Sequence, residues 1–183
     1  DLLPAGQKKA AVDNLLAPPD EMVKIGSPFA MFYMLEALEA VDQQEAALRI
    51  IADYWGIMLE HDAKTCWETV QQDFLDGKTP FATRSHCHGW SAAPVDMFAR
   101  MLLGVTPLKP GFREARIRPC SLGLRHAKGS VPTPHGLIHV AWHLQDDGSF
   151  DLAVDAPPAV TLRVDRSRLR HGNRPVRDAS KAR

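Results

Sequence analysis

The sequence predicts a mainly α-helical chain that ends in a small antiparallel β part, and three observations predict it. Apolar residues recur at three- and four-residue steps as far as Gly104. Beyond it the helical period disappears, and Thr106-Pro107-Leu108-Lys109-Pro110-Gly111 is turn chemistry. Short β-like runs separated by turn signals then fill residues 105–165. The 183 residues suffice for one ordinary domain or two small ones. At 45% hydrophobic and 24% charged, the composition excludes a collagen-like, disulfide-scaffold or wholly disordered chain. No apolar run approaches the ~18 residues of a spanning helix, so no membrane partner is expected.

The elements follow in order. An amphipathic stretch within Asp1 to Leu16 is closed by Ala17-Pro18-Pro19, which cannot continue a helix. Ser27-Pro28 supplies a hydroxyl N-cap followed by proline at the first helical position. Behind it Phe29, Phe32, Leu35, Leu38 and Val41 form an apolar stripe, broadened by Met31 and Met34. A second helix from about Gln43 to His61 is expected to bury Ala47, Ile50, Ile51, Tyr54, Trp55, Met58 and Leu59. The short link around Asp42 makes these two helices antiparallel neighbours. A third spans Ser91 to Leu103, with Pro94 in its first turn and Gly104 as C-cap. The β runs are Ala115–Arg118, Leu137–Leu144, Phe150–Val154 and Val160–Val164, with turns at Thr133–Gly136 and Gln145–Gly148. Four or five such strands make a small sheet or sandwich that packs on the helices. The resulting division is a helical part over 1–104, a β part over 105–165 and a tail over 166–183.

Charge is balanced overall, with 22 basic and 22 acidic residues, but residues 163–183 hold eight Lys or Arg against two Asp. This tail lacks aromatics and apolar periodicity, so it reads as a solvated, flexible terminus and not as a nucleic-acid-binding surface. The chain opens at Asp1 without an initiator Met or a visible leader, which fits a removed leader or a piece of something longer and leaves the compartment open. Three cysteines without C-x-x-C spacing do not make a disulfide framework.

Between the second and third helices lie nearly thirty residues, where helix hairpins usually connect in ~2–8. They hold Thr65-Cys66-Trp67-Glu68 and Arg84-Ser85-His86-Cys87-His88-Gly89-Trp90-Ser91. Glu68, beside the Trp67 ring, is either a surface carboxylate next to a half-buried indole or a general base held within reach of a water. Indole faces suit the apolar side of a sugar ring, and Trp and His N–H groups donate to hydroxyls. His86-Cys87-His88 is either hydrogen bonding at a helix start or a set of donors to a ligand. A His-x-His pair does not by itself set zinc geometry, so no metal and no cofactor is assigned. Cys66 and Cys87 read as small buried thiols, and Trp55 and Trp142 as core.

The ordered set Gly26-Ser27-Pro28-Phe29, Leu35-Glu36-Ala37-Leu38, Tyr54-Trp55-Gly56-Ile57-Met58-Leu59, Thr65-Cys66-Trp67-Glu68, Ser85-His86-Cys87-His88-Gly89-Trp90-Ser91-Ala92, Leu103-Gly104-Val105-Thr106-Pro107 and Val131-Pro132-Thr133-Pro134-His135-Gly136 resembles the C-terminal part of bacterial α-L-rhamnosidases of the inverting, six-hairpin type. The resemblance covers about residues 25 to 145. It implies helical hairpins of an (α/α)6 barrel followed by a small antiparallel β-sandwich, and hydrolysis of terminal α-L-rhamnosyl residues from a glycoside or polysaccharide. It also implies Glu68 as general base, His88 as the residue that hydrogen-bonds rhamnose hydroxyls, and a wall or packing role for Trp67 and Trp90. An inverting pair of carboxyls stands roughly 6.5–9.5 Å apart to admit water.

Twelve helices close such a barrel, and this sequence shows three or four. The family's general acid belongs to an acidic motif upstream, and Asp20-Glu21 lacks that motif's surroundings. The expectation is thus an incomplete barrel with its general acid missing, and exposed helix faces that self-associate or pair with the missing N-terminal part. The alternative is a non-catalytic carbohydrate-binding or oligomerising remnant.

Overall fold

Ser27 begins the helix that the sequence marks most strongly: its hydroxyl accepts from the Ala30 N–H at 3.4 Å, and Pro28 occupies the first turn. The computed structural model describes residues 4–168, 170–171 and 174–175. The chain divides into two units, residues 1–94 and 95–183, with the boundary inside one helix.

The first unit holds α1 (Ala5–Leu16), α2 (Pro28–Ala40), α3 (Gln44–Glu60) and a short α4 (Gln72–Leu75). α1 forms where expected, yet none of its described side chains is fully buried. α2 and α3 are joined by Val41–Gln43, where Asp42 takes a left-handed φ of 61° and Gln43 N bonds Leu38 O at 2.8 Å. Leu35 and Leu38 of α2, and Ala47, Ile51, Trp55 and Met58 of α3, are buried at helical spacing. Two expected core positions are exposed instead. Phe29, at the first turn of α2, is 48% exposed and lies against the Trp90 ring. Leu59, at the penultimate position of α3, is 73% exposed, one step past the stripe that ends at Met58. α4 was not expected: it sits within what reads as a polar loop and is a single turn.

The third expected helix is shorter than its sequence signal. Gly89–Ser91 forms a 3-10 turn, and α5 runs Ala93–Met101 with Pro94 in its first turn. Leu102 N and Leu103 N both bond Phe98 O. Gly104 follows at φ 73°, and a Cβ there would stand 2.1 Å from the Arg118 carbonyl carbon, so only glycine fits.

The second unit contains β1 (Val105–Pro107), β2 (Glu114–Ile117), β3 (His126–Thr133), β4 (Gly136–Leu144), β5 (Phe150–Asp155) and β6 (Thr161–Val164). The β3–β4–β5 sheet is antiparallel throughout. The β1–β2–β6 sheet departs from the antiparallel expectation, because β6 pairs with β2 in parallel, Glu114 opposite Thr161. The three strands between them supply the long connection that a parallel pair requires. β1 and β3 were missed in the sequence, the latter because Gly129, Ser130 and Pro132 dilute its apolar alternation. One core joins both sheets: Val105, Ala115 and Ile117 from the first meet Val131, Ile138, Val140, Trp142 and Phe150 from the second. Trp142 stacks on Phe150 at 5.2 Å and donates to Leu102 O at 2.7 Å. Arg170–His171 and Arg174–Pro175 pair as two-residue strands, β7 and β8. Most of the 166–183 tail, and with it the expectation of flexibility, lies outside the described residues. Among the described residues no helix is long and apolar enough to cross a membrane.

Candidate functional site

Two irregular segments of the first unit run side by side in opposite directions. Glu68 N bonds Ser85 O, Gln71 N bonds Ala82 O, and His88 N bonds Cys66 O, each at 2.9 Å. The Thr65 hydroxyl donates to the His86 carbonyl. This pairing brings residues 68 and 88 together across twenty positions of chain.

Side chains from α3 and from the turn before α5 hold the pair in place. The Tyr54 hydroxyl accepts from Val70 N at 3.1 Å and meets Thr69 Oγ1 at 3.1 Å. Trp55 Nε1 donates to Ser91 O at 2.8 Å. The Glu68 carbonyl accepts from both Trp90 Nε1 and Ser91 Oγ, at 3.4 Å each. The backbone of Glu68 is therefore fixed from both sides while its carboxylate points elsewhere.

That carboxylate is 16% exposed, with Oε2 4.0 Å from His88 Nδ1 and Oε1 3.4 Å from the Arg84 guanidinium. At 4.0 Å carboxylate and imidazole are too far apart to bond each other, and both remain open to a third polar group between them. His88, 32% exposed, tilts against the Trp90 ring at 4.3 Å. Trp90 is 45% exposed and leans on Phe29 at 5.5 Å, which in turn meets Tyr33 edge-on at 5.6 Å. Rings thus continue outward from the carboxylate along α2. Trp67 is different: at 5% exposure it is buried, its ring nearly perpendicular to that of His86 at 5.3 Å.

The structure therefore brings Glu68, His88 and Trp90 together and sets Trp67 into the packing behind them. Sequence reasoning missed Arg84, Phe29 and Tyr33 as neighbours of this site. Arg84 stands in the same quoted segment as His88, and its charge beside a lone carboxylate was the available signal. Phe29 looks like core in a helical stripe, and nothing in the spacing tells a ring that faces another ring from one that faces the interior; Tyr33 stands outside that stripe. The expectation of buried thiols fails: Cys66 is half-buried, Cys87 is exposed, and both are free. Among the described residues no three His, Cys, Asp or Glu side chains are grouped to hold a metal ion.

Comparison with known proteins follows this geometry. Residues 104–174 match the family described as the bacterial α-L-rhamnosidase C-terminal domain. An α-L-rhamnosidase of Alteromonas sp. (strain LOR) is 31% identical over 165 residues, which cover 86% of this chain and 18% of that protein. The GH78 family rhamnosidase of Bacillus sp. GL1 is similar at 37% identity and TM-score 0.78, over 88% of this chain and 17% of its own. The Streptomyces avermitilis α-L-rhamnosidase, solved in complex with L-rhamnose, shares the fold at TM-score 0.72 and 24% identity, over 89% of this chain and 16% of its own. The chain spans less than a fifth of each of these three relatives. Helices with a small β part, the ordered motifs and these matches agree: the chain is similar over most of its length to the C-terminal portions of α-L-rhamnosidases, and its residues 104–174 carry the bacterial α-L-rhamnosidase C-terminal domain.

Proposed function

We propose that this chain supplies the general-base side of a rhamnoside-hydrolysing site, within an inverting reaction on terminal α-L-rhamnosyl residues. The observation that carries the reading is the 4.0 Å gap between Glu68 Oε2 and His88 Nδ1, with both groups partly exposed and neither bonded to the other. A water held in that gap would give its proton to Glu68 as its oxygen attacks the anomeric carbon. His88 would donate to a sugar hydroxyl, and Trp90 would offer its face to the sugar's apolar side. Trp67 serves by packing behind the carboxylate. On this reading the acid that protonates the leaving oxygen comes from outside this stretch, and the α2–α3 pair is one hairpin of an (α/α)6 barrel wall followed by a β-sandwich.

The test is kinetic, in a rhamnosidase that contains this segment. Glu68→Gln should lower kcat by ~10²–10⁴ with KM little changed, since the amide keeps the shape and loses the base. His88→Ala should raise KM as well as lower kcat. Undiminished turnover in Glu68→Gln would remove Glu68 from the reaction.

A second reading concerns the partner. Phe29, Tyr33, Leu59 and Phe81 are large apolar side chains 48–73% exposed in one helical unit, which favours pairing with another helical surface. Light scattering on this chain should then show association, and a clean monomer at all concentrations would count against it.

A further inference from the structure

The outer face of the β3–β4–β5 sheet carries an arrangement that the catalytic reading leaves unused. Cross-strand register sets its side chains in rows. At one end stand His126, His143 and Asp151, with the two imidazoles stacked at 6.3 Å. At the other stand Ser130, His139 and Asp155, where Ser130 Oγ and His139 Nδ1 are 2.7 Å apart. Lys128 lies between them, beside Ala141 and Ala153. These positions alternate with the core residues Val131, Ile138, Val140 and Trp142, so the rows face solvent.

Two alanines flanked by longer side chains leave a trough. One hollow of about 520 Å³ lies toward Ser130, His139 and Asp155, and another of about 330 Å³ lies toward His126, His143 and Asp151. Both have Lys128, Ala141 and Ala153 in their lining, which makes them one continuous depression. Each falls in the ~300–1,000 Å³ range of small-molecule sites. At ~3.3 Å per residue, the first and third rows are about 13 Å apart along the strands. Neither hollow is lined by Glu68 or His88.

We propose that this trough binds a neutral oligosaccharide, as a carbohydrate site separate from Glu68. Lys128 and the imidazoles donate, Asp151 and Asp155 accept, and a hydroxyl-rich chain needs both. One lysine against two aspartates is the wrong balance for a phosphate or a nucleic acid. The alanine methyls offer an apolar floor to the C–H side of a pyranose ring. Among the described residues neither Lys128 nor Asp155 has an ion pair or a side-chain hydrogen bond, so both remain available to ligand hydroxyls. The depression is long and open, which suits an extended chain over an enclosed monosaccharide. Only the choice of a rhamnose-containing probe rests on the proposed function.

The experiment is an amide NMR titration of the whole 183-residue chain with L-rhamnose and with a rhamnose-containing oligosaccharide. Saturable shifts at Lys128, Ala141 and Ala153 are expected, at lower concentration for the oligosaccharide. Ala141→Trp, which fills the middle row at an exposed position, should weaken this binding by about tenfold or more. If that variant loses its dispersed spectrum, the double substitution Lys128→Met with Asp155→Asn takes its place with the same expected loss. Glu68→Gln should leave the shifts unchanged, so this proposal and the catalytic one fail separately. Absence of shifts on the sheet, or shifts unaltered in the variant that folds, would overturn it.

Discussion

Two antiparallel pairings in this chain are built on different principles. β3 and β4 pair over eight consecutive positions, from His126 opposite His143 to Thr133 opposite Gly136. The segments around Glu68 and His88 meet at Glu68–Ser85, Gln71–Ala82 and Cys66–His88, and further support comes from single side chains, among them Tyr54, Trp55, Thr65, Thr83, Trp90 and Ser91. A ladder repeats itself, so its stability is spread along the strand. A side-chain-pinned loop pair concentrates stability in a few bonds, and in exchange it can place a carboxylate and an imidazole at a distance no regular ladder would dictate. The chemistry proposed for this protein sits on the second kind of pairing.

That contrast can be broken at its strongest point first. Gly104→Ala places a methyl 2.1 Å from backbone at Arg118 and demands a left-handed φ, so the β unit should lose several kcal/mol, beyond the ~1–3 kcal/mol of a strained backbone alone. Thermal unfolding measures it, and a Tm within a degree of wild type would show that the junction yields. Tyr54→Phe tests the loop pair. It removes the acceptor for Val70 N and the contact to Thr69, at a cost of ~1–3 kcal/mol. Hydrogen exchange should rise at residues 66–71 and 82–88 and stay unchanged in β3 and β4; a uniform rise would erase the distinction between the two pairings. Ser27→Ala, which removes the α2 cap, should cost ~1 kcal/mol by denaturant midpoint without altering exchange in either pairing.

The smallest effect is one of pH. Hydrogen bonds from Arg163 and then Lys109 hold the Glu114 carboxyl below its ordinary range. Its contribution to the β2–β6 pairing is therefore complete above the unfolded-state value and is lost as pH falls through the lower folded value. Glu114→Gln should flatten the acid limb of the Tm–pH curve and leave neutral pH nearly unchanged.

How much was legible in the sequence follows the same division. Ser27-Pro28 announced α2 because a hydroxyl cap and a proline act locally. The alternation of Ile138, Val140 and Trp142 announced β4 because one buried face imposes a period of two. The Glu68–His88 pair could be named from motif resemblance, but not its spacing, since twenty residues separate the two and the bonds that join them belong to no periodic pattern. The parallel β2–β6 contact was hidden for a related reason: strand direction depends on the path of the chain between them, which local spacing does not encode. Leu59 misled because helical spacing marks a face and not how far the neighbouring element extends along it.

The central claim is that Glu68 serves as a base toward a water beside His88, and chemical rescue tests it most directly. In a rhamnosidase containing this segment, Glu68→Ala should be nearly inactive on an activated rhamnoside, and azide, which needs no base, should restore turnover as a rhamnosyl azide of inverted anomeric configuration. Residual activity indifferent to azide, or an azide product that retains configuration, would contradict it.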